Sequence, residues 1–223
     1  MFYFDFSGTF ARGDLLAKGA ALTLALSAAA MILGMTVGLL GALAQRSRNP
    51  ILRGAVIVYV EAIRNTPFLV QIYIVYFGLP ALGIRLTSVA ASILALTIYA
   101  GAYVTEILRA GIETVERGQV EAARALGLSR LLIFRHVILT PALAAVYPAL
   151  TSQFILLMLA SSVCSTISTP ELAGAAADIQ GLTFRAFEAF IVVAAVYLAF
   201  TLMFRTAFAR LDRVIFRFRH AGG

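Results

Sequence analysis

Glu61 and Arg64 stand three residues apart in an otherwise apolar stretch and are followed at once by Thr66 and Pro67. At that spacing two helical side chains share a face, and a charge at membrane depth faces the interior or a partner. Two roles fit the pair: contact with a polar solute or gating of its path, and a neutralised ion pair that ties segments together. Pro67 lacks a backbone donor and restricts the residue before it, so the helix is expected to break there. Irregular backbone at such depth is tolerated where it lines a cavity, which sets residues 64–67 beside a path. Gln153, Ser161, Ser162, Cys164 and Ser165 form a second polar strip. It suits either path lining or close helix packing through small residues. Glu106 and Arg109 repeat the three-residue spacing nearer an interface, where anchoring is the expected role.

Other chemistry is excluded. A phosphate-cradling loop needs Gly-x-x-x-x-Gly-Lys-Ser/Thr, yet the only lysine is Lys18 and Gly19 follows it. No ATP hydrolysis, and no other catalysis, is expected of this chain, since no Ser/His/Asp arrangement stands out either. Cys164 is the single cysteine, which rules out an internal disulfide. His136 and His220 are far apart with no second Cys or His nearby, so no metal site is expected.

The elements that carry these residues belong in a membrane. Of 223 residues 61% are hydrophobic and 13% charged, against about 45–50% and about 25% in soluble domains. Five apolar stretches are long enough to cross a bilayer as helices, which takes about 20 residues each: 15–44, 51–78, 86–108, 139–159 and 187–208. Solidly apolar runs without alternation argue against a barrel. The first stretch is longer than a signal-peptide core and has no basic segment before it, so it reads as a retained span. Thirteen arginines fall in the 45–50 and 109–138 connections, the start of the second stretch and the C-terminal tail, among them Arg46, Arg53, Arg117, Arg205, Arg217 and Arg219. Four basic residues lie on the opposite side: Arg12, Lys18, Arg85 and Arg185. That asymmetry predicts an outside N-terminus and a cytoplasmic C-terminus. It also accounts for the net charge of +7 without any nucleic-acid partner. Phe2, Tyr3, Phe4 and Phe6 mark an interfacial segment.

The longest cytoplasmic connection, about 113–130, is polar but rich in helix formers such as Ala122, Ala123 and Ala125. Gly127 is placed to end that helix and Ser129 to cap another leading into the fourth span. Such an element is shaped to be held by something. On the other side, Thr169-Pro170-Glu171 has the composition of a helix start.

Glu121-Ala122-Ala123 with Gly127 four residues later, before a penultimate span, resembles the coupling-helix signature of ABC importer permeases. Other blocks extend the resemblance over most of the chain, toward permeases for polar amino acids. They are Tyr59-Val60-Glu61-Ala62-Ile63-Arg64-Asn65-Thr66-Pro67-Phe68-Leu69-Val70-Gln71, Tyr76-Phe77-Gly78-Leu79-Pro80, Gly101-Ala102-Tyr103 with Glu106 and Arg109, and Gly118-Gln119 before Glu121. The resemblance implies one all-α domain over 1–223 with the type I importer permease fold, in a bacterial inner membrane. It implies that Glu121, Ala122, Ala123 and Gly127 dock on an ATPase subunit. Two such subunits would bind ATP and Mg, with a second permease, the same or homologous, and a periplasmic solute-binding protein completing the complex. The cargo implied is a polar amino acid or an opine-like solute, with Glu61, Arg64, Thr66, Pro67, Gln153, Ser161 and Ser162 as candidate path residues. The alternative is an ion-gradient-driven transporter or channel subunit. Internal repeats and paired broken helices, typical of such carriers, are not evident. Three positions depart from the family pattern: Asn65 replaces a usual Gly, Thr140 separates Leu139 from Pro141, and Leu159-Ala160 stand where a Lys and a polar residue are common.

Overall fold

The computed structural model describes residues 3–114 and 117–216; Phe2, Arg217, Arg219 and His220, and the side chain of Arg117, lie outside the described residues. Among the described residues every regular element is a helix. A short α1 (Ser7–Phe10) precedes α2 (Gly13–Gln45), α3 (Pro50–Arg64) and α4 (Phe68–Tyr73). Then come α5 (Ser88–Glu113), α6 (Arg117–Ala125), α7 (Arg130–Leu132), α8 (Thr140–Ala160), α9 (Leu172–Thr183) and α10 (Ala186–Ile215).

Four segments are long and apolar enough to cross a bilayer: Gly13–Gln45, Ser88–Glu113, Arg130–Ile167 and Ala186–Ile215. They correspond to the first, third, fourth and fifth expected spans: three contain the expected stretch, and the third starts two residues later than expected and runs past its end. Apolarity marks hydrocarbon depth, whereas a helix continues as long as its backbone bonds do. The fourth differs most. There α7, a π turn over Ile133–Leu139, α8 and a 3-10 turn over Ser161–Ile167 join into one 38-residue rod. Thr140 bonds the Arg135 carbonyl through its hydroxyl at 2.7 Å at the end of the π turn, just before Pro141. The third span starts at Ser88 rather than 86 because Thr87 caps it, accepting from Ala90 N–H at 3.2 Å.

The expected second span, 51–78, is not one straight helix. Pro50–Arg64 and Phe68–Leu82 meet at 110°. The fifteen residues of α3 reach about 22 Å, short of a hydrocarbon core of about 30 Å. Pro67 is extended, with φ −58° and ψ 137°, and side chains take up the carbonyls that the break sets free. Asn65 Nδ2 donates to Glu61 O at 2.8 Å and Thr66 Oγ1 to Ala62 O at 2.7 Å. Gln71 Nε2 donates to Ile63 O at 2.8 Å and to Thr66 O at 2.9 Å. A broken helix in lipid survives only when its backbone is satisfied in this way.

The packing that assembles the bundle rests on small residues. Gly34 and Gly38 of α2 lie against Ala100 and Val104 of α5, so closely that a Cβ at either glycine would collide. Lipid supplies no hydrophobic drive between helices, so such close approach supplies dispersion contacts instead. Tyr59 adds α3 by donating to Ile98 O at 2.7 Å. One buried cluster joins α2, α4, α5 and α8 through Leu26, Met31, Ile72, Leu96 and Leu157. A second joins α2, α9 and α10 through Leu16, Leu172, Ile179 and Val193. The N-terminal aromatics meet the start of α10: the Phe4 ring lies 5.6 Å from that of Phe187. Arg185 bridges Asp5 at 3.6 Å and Glu188 at 3.0 Å. Hydrogen bonds from Ser7, helped by Arg185, hold the Asp5 carboxyl below the usual carboxylate range.

Candidate functional site

At one end of the bundle, α6 and its turn stand out from the spans. Gly127 adopts φ +74°, a left-handed conformation that costs glycine least. Gly127 N–H bonds Arg124 O at 2.9 Å and Leu128 N–H bonds Ala123 O at 3.2 Å, the paired bonds of a glycine-terminated helix. Ser129 then caps α7, accepting from Leu132 N–H at 3.4 Å. Ala123 is buried, while Glu121, Ala122 and Gly127 are exposed. Leu126 is 80% exposed and Leu131 74%. Among the described residues Glu121 has no ion-pair partner. Apolar side chains held outward on an otherwise polar element mark a contact surface.

Beside it, a charged cluster connects α3 with α5. Arg109 forms a two-pronged pair with Glu106, at 3.0 and 2.5 Å, and reaches both oxygens of Glu113 at 2.7 Å. These charges, with Arg46, Arg53 and Glu61, line a cavity of about 400 Å³. Glu106 and Arg109 do share a face, as their spacing predicts. Glu61 and Arg64 do not pair with each other. The Arg64 guanidinium, at the last residue of α3, turns to α5, where it sits 5.6 Å from the Tyr103 ring and 4.0 Å from Glu106. Glu61 instead accepts from Asn65 Nδ2 at 2.9 Å. Both residues stay on the continuous helix α3, and the partners that α5 presents to Arg64 could not be read from spacing along one helix.

From Tyr103 a stripe continues along α5 to Tyr99, ring centroids 4.7 Å apart, and on to Phe68 at 5.3 Å from Tyr99. Gln153 of α8 lies beside Tyr99 and is 4% exposed. Its amide nitrogen meets no acceptor at hydrogen-bond geometry among the described residues. Arg64 and Gln153 are thus joined by two tyrosines, while Thr66 and Pro67 belong to the break. Ser161 and Ser162 are elsewhere: eight residues along α8 from Gln153 is about 12 Å of rise. Their hydroxyls bond back to Met158 O at 2.6 Å and Leu159 O at 2.7 Å, and Ser161 is buried.

Comparison with known proteins gives these features a context. A family model described as "Binding-protein-dependent transport system inner membrane component" matches residues 31–217. The chain belongs to this family. It is a multi-pass inner-membrane permease, and its fold is that of type I ABC importers. It is 35% identical over 213 residues to a probable glutamine ABC transporter permease protein of Bacillus subtilis, covering 93% of this chain and 98% of that one. It is 36% identical to a nopaline transport system permease protein of Agrobacterium fabrum, covering 80% and 78%. Among solved structures, a crystal structure of an amino acid ABC transporter with histidines matches with a TM-score of 0.89 and 36% identity, over 95% of this chain and 99% of that chain. A methionine ABC transporter in an inward-facing conformation shares the fold, with a TM-score of 0.73 and 23% identity, over 90% and 96%.

One buried group in the permease was visible to sequence reading only as a helix start. Glu171 is the N-cap of α9, fully buried, and its carboxylate accepts four hydrogen bonds. Ala173 N–H and Gly174 N–H donate at 3.0 and 2.8 Å. The Tyr197 and Thr23 hydroxyls donate at 2.7 and 3.3 Å. Burial pushes the carboxyl above the usual glutamate range in spite of those bonds. Asn65 and Gln71 were noted in sequence only as part of the second-span block, and their bonds to the carbonyls of the break were not foreseen. Their only signal was a polar side chain flanking a proline in an apolar run.

Proposed function

We propose that the chain is the permease subunit of an ATP-driven importer that carries a polar amino acid, or an opine-like solute, from a periplasmic binding protein to the cytoplasm. The observation that carries this reading is the protruding α6–Gly127–Ser129 segment, whose exposed face the spans leave uncovered. In this reading α6 seats Glu121, Ala122 and Ala123 in a cleft of an ATPase subunit. Two such subunits hold ATP and Mg, and their closure moves α6 together with the rod that begins at Arg130. A second permease, identical or homologous, completes the membrane part. The N-terminus is periplasmic and the C-terminus cytoplasmic, which puts α6 on the ATPase side, as the distribution of arginines requires.

The solute passes along the Arg64–Tyr103–Tyr99–Gln153 stripe, which offers a cation, aromatic faces and an unsatisfied amide to a polar solute. Glu61, Thr66 and Pro67 shape the broken helix beside it, and Ser161 and Ser162 stand further along the same rod. Uncommitted polar groups in a membrane bundle are costly and favour a functional role. The nopaline and glutamine permeases among the relatives set the range of solutes worth assaying.

Affinity purification from native membranes tests the reading. Wild type is expected to bring down an ATPase subunit, and Gly127→Pro to lose it while still eluting as a folded protein, because proline cannot adopt positive φ. Stable wild-type protein that never co-purifies with an ATPase would contradict the proposal.

A further inference from the structure

Glu171 lies at the opposite end of the bundle from α6 and belongs to none of the contacts described for the path, yet it joins three elements. Its carboxylate ties the start of α9 to α2 through Thr23 and to α10 through Tyr197. Thr23 also accepts Leu172 N–H at 3.1 Å, so it grips the α9 start twice. Immediately before Glu171, the turn that ends the α8 rod is pinned to α5. Ser92 and Thr169 hydroxyls are 2.8 Å apart, and Ser88 donates to Ser168 O at 3.3 Å. Thr169 N–H bonds Cys164 O at 3.3 Å, which links the pinned turn back to the serine strip. Gly174 makes this possible, because a Cβ there would strike the Thr169 carbonyl.

We propose that Glu171 is a positioning residue for the far end of the transport path: its carboxylate ties the start of α9, directly after the Ser161–Thr169 turn, to α2 and α10, and with the hold of Ser88 and Ser92 of α5 on that turn it fixes where Ser161 and Ser162 stand. Its place in transport rests on the permease reading above; the clamp itself is a property of this chain alone. All four partners donate, so the site requires an acceptor at both oxygens. An amide of the same size presents N–H₂ where one oxygen stood and faces donors with a donor. A shorter carboxylate keeps the helix cap and the acceptor character. Chemistry and size therefore make opposite forecasts for the two conservative variants.

Cys164, the only cysteine of the chain and fully buried in this turn, reports on the clamp. The full chain is alkylated in membrane vesicles with N-ethylmaleimide, and the rate is read by mass. Wild type is expected to react slowly. Glu171→Gln should react at least fivefold faster, and Glu171→Asp at an intermediate rate. In a Cys164→Ser background, Ala95→Cys in the α2–α5 core should stay protected in every variant, which separates a local opening from general unfolding. Should Glu171→Gln fail to accumulate in membranes, Tyr197→Phe and Thr23→Val each remove one donor and are expected to raise labelling about twofold. The inference is overturned if Glu171→Gln is as protected as wild type, if Gln protects better than Asp, or if the Ala95→Cys reporter opens in parallel. Any of these would leave the ATPase co-purification result unaffected, so failure of the clamp and failure of the permease reading are distinguishable.

Discussion

The two ends of this bundle treat polar groups in opposite ways. Around Glu171 a carboxylate is buried and wrapped by two backbone N–H groups and two hydroxyls supplied by three helices. Around α6 the charges are exposed or half-exposed and pair mainly along one helix, as Arg109 does with Glu106 and Glu113, while leucines point outward. One end satisfies itself; the other leaves its contact surface for something else to cover. In the importer proposed above that asymmetry has a use, because the driven segment engages a partner while the far end keeps its geometry.

Substitutions that break this contrast should rank by how much each end depends on itself. Glu171→Ala is expected to have the largest effect, destabilising the folded chain by about 3 kcal/mol, since it removes a helix cap and strands buried donors. Thermal unfolding in detergent measures it. Gln71→Leu comes next, at about 1–2 kcal/mol, because the Ile63 and Thr66 carbonyls lose their donor at the helix break. Gly127→Ala should cost about 1 kcal/mol from its positive φ alone, since the site has open space around it; its effect on ATPase binding should exceed its effect on stability. Glu106→Gln should change stability least, by about 0.5 kcal/mol, and that small difference should shrink further at high salt.

The same contrast has a pH signature. Burial raises the folded-state Glu171 carboxyl above its ordinary value. The folded chain therefore holds a proton at pH values where the unfolded chain has already released it. The stability so gained is full below the ordinary glutamate value and is lost as pH rises through the raised one. Unfolding temperatures from about pH 4 to about pH 8, spanning the carboxylate range and beyond, should fall with rising pH more steeply in wild type than in Glu171→Gln. Equal slopes would mean that the carboxyl does not titrate abnormally.

Much of this was legible in the sequence. Apolar length located the four continuous spans, because crossing hydrocarbon leaves few alternatives to a helix. Pro67 announced the break, and Gly127 with Ser129 announced the stop and restart around α6, since their backbone limits act within a residue or two. What the sequence did not yield depends on which helices pack together. Arg64 turns from Glu61 to Tyr103 and Glu106 because α5 packs against α3, and no spacing rule along one helix encodes what its neighbour presents. Glu171 read as a helix start because its local neighbours say only that; Thr23 and Tyr197 lie 148 and 26 residues away. Asn65 departs from the family's usual glycine, and its bonds to Glu61 supply a physical reason.

The most direct test of the asymmetry is amide hydrogen exchange on the full chain in detergent, with and without its ATPase subunits. Residues 117–132 should exchange quickly alone and gain strong protection on binding, while 171–176 should be protected in both states and change little. Unchanged exchange over 117–132, or new protection appearing at the α9 end instead, would contradict the account.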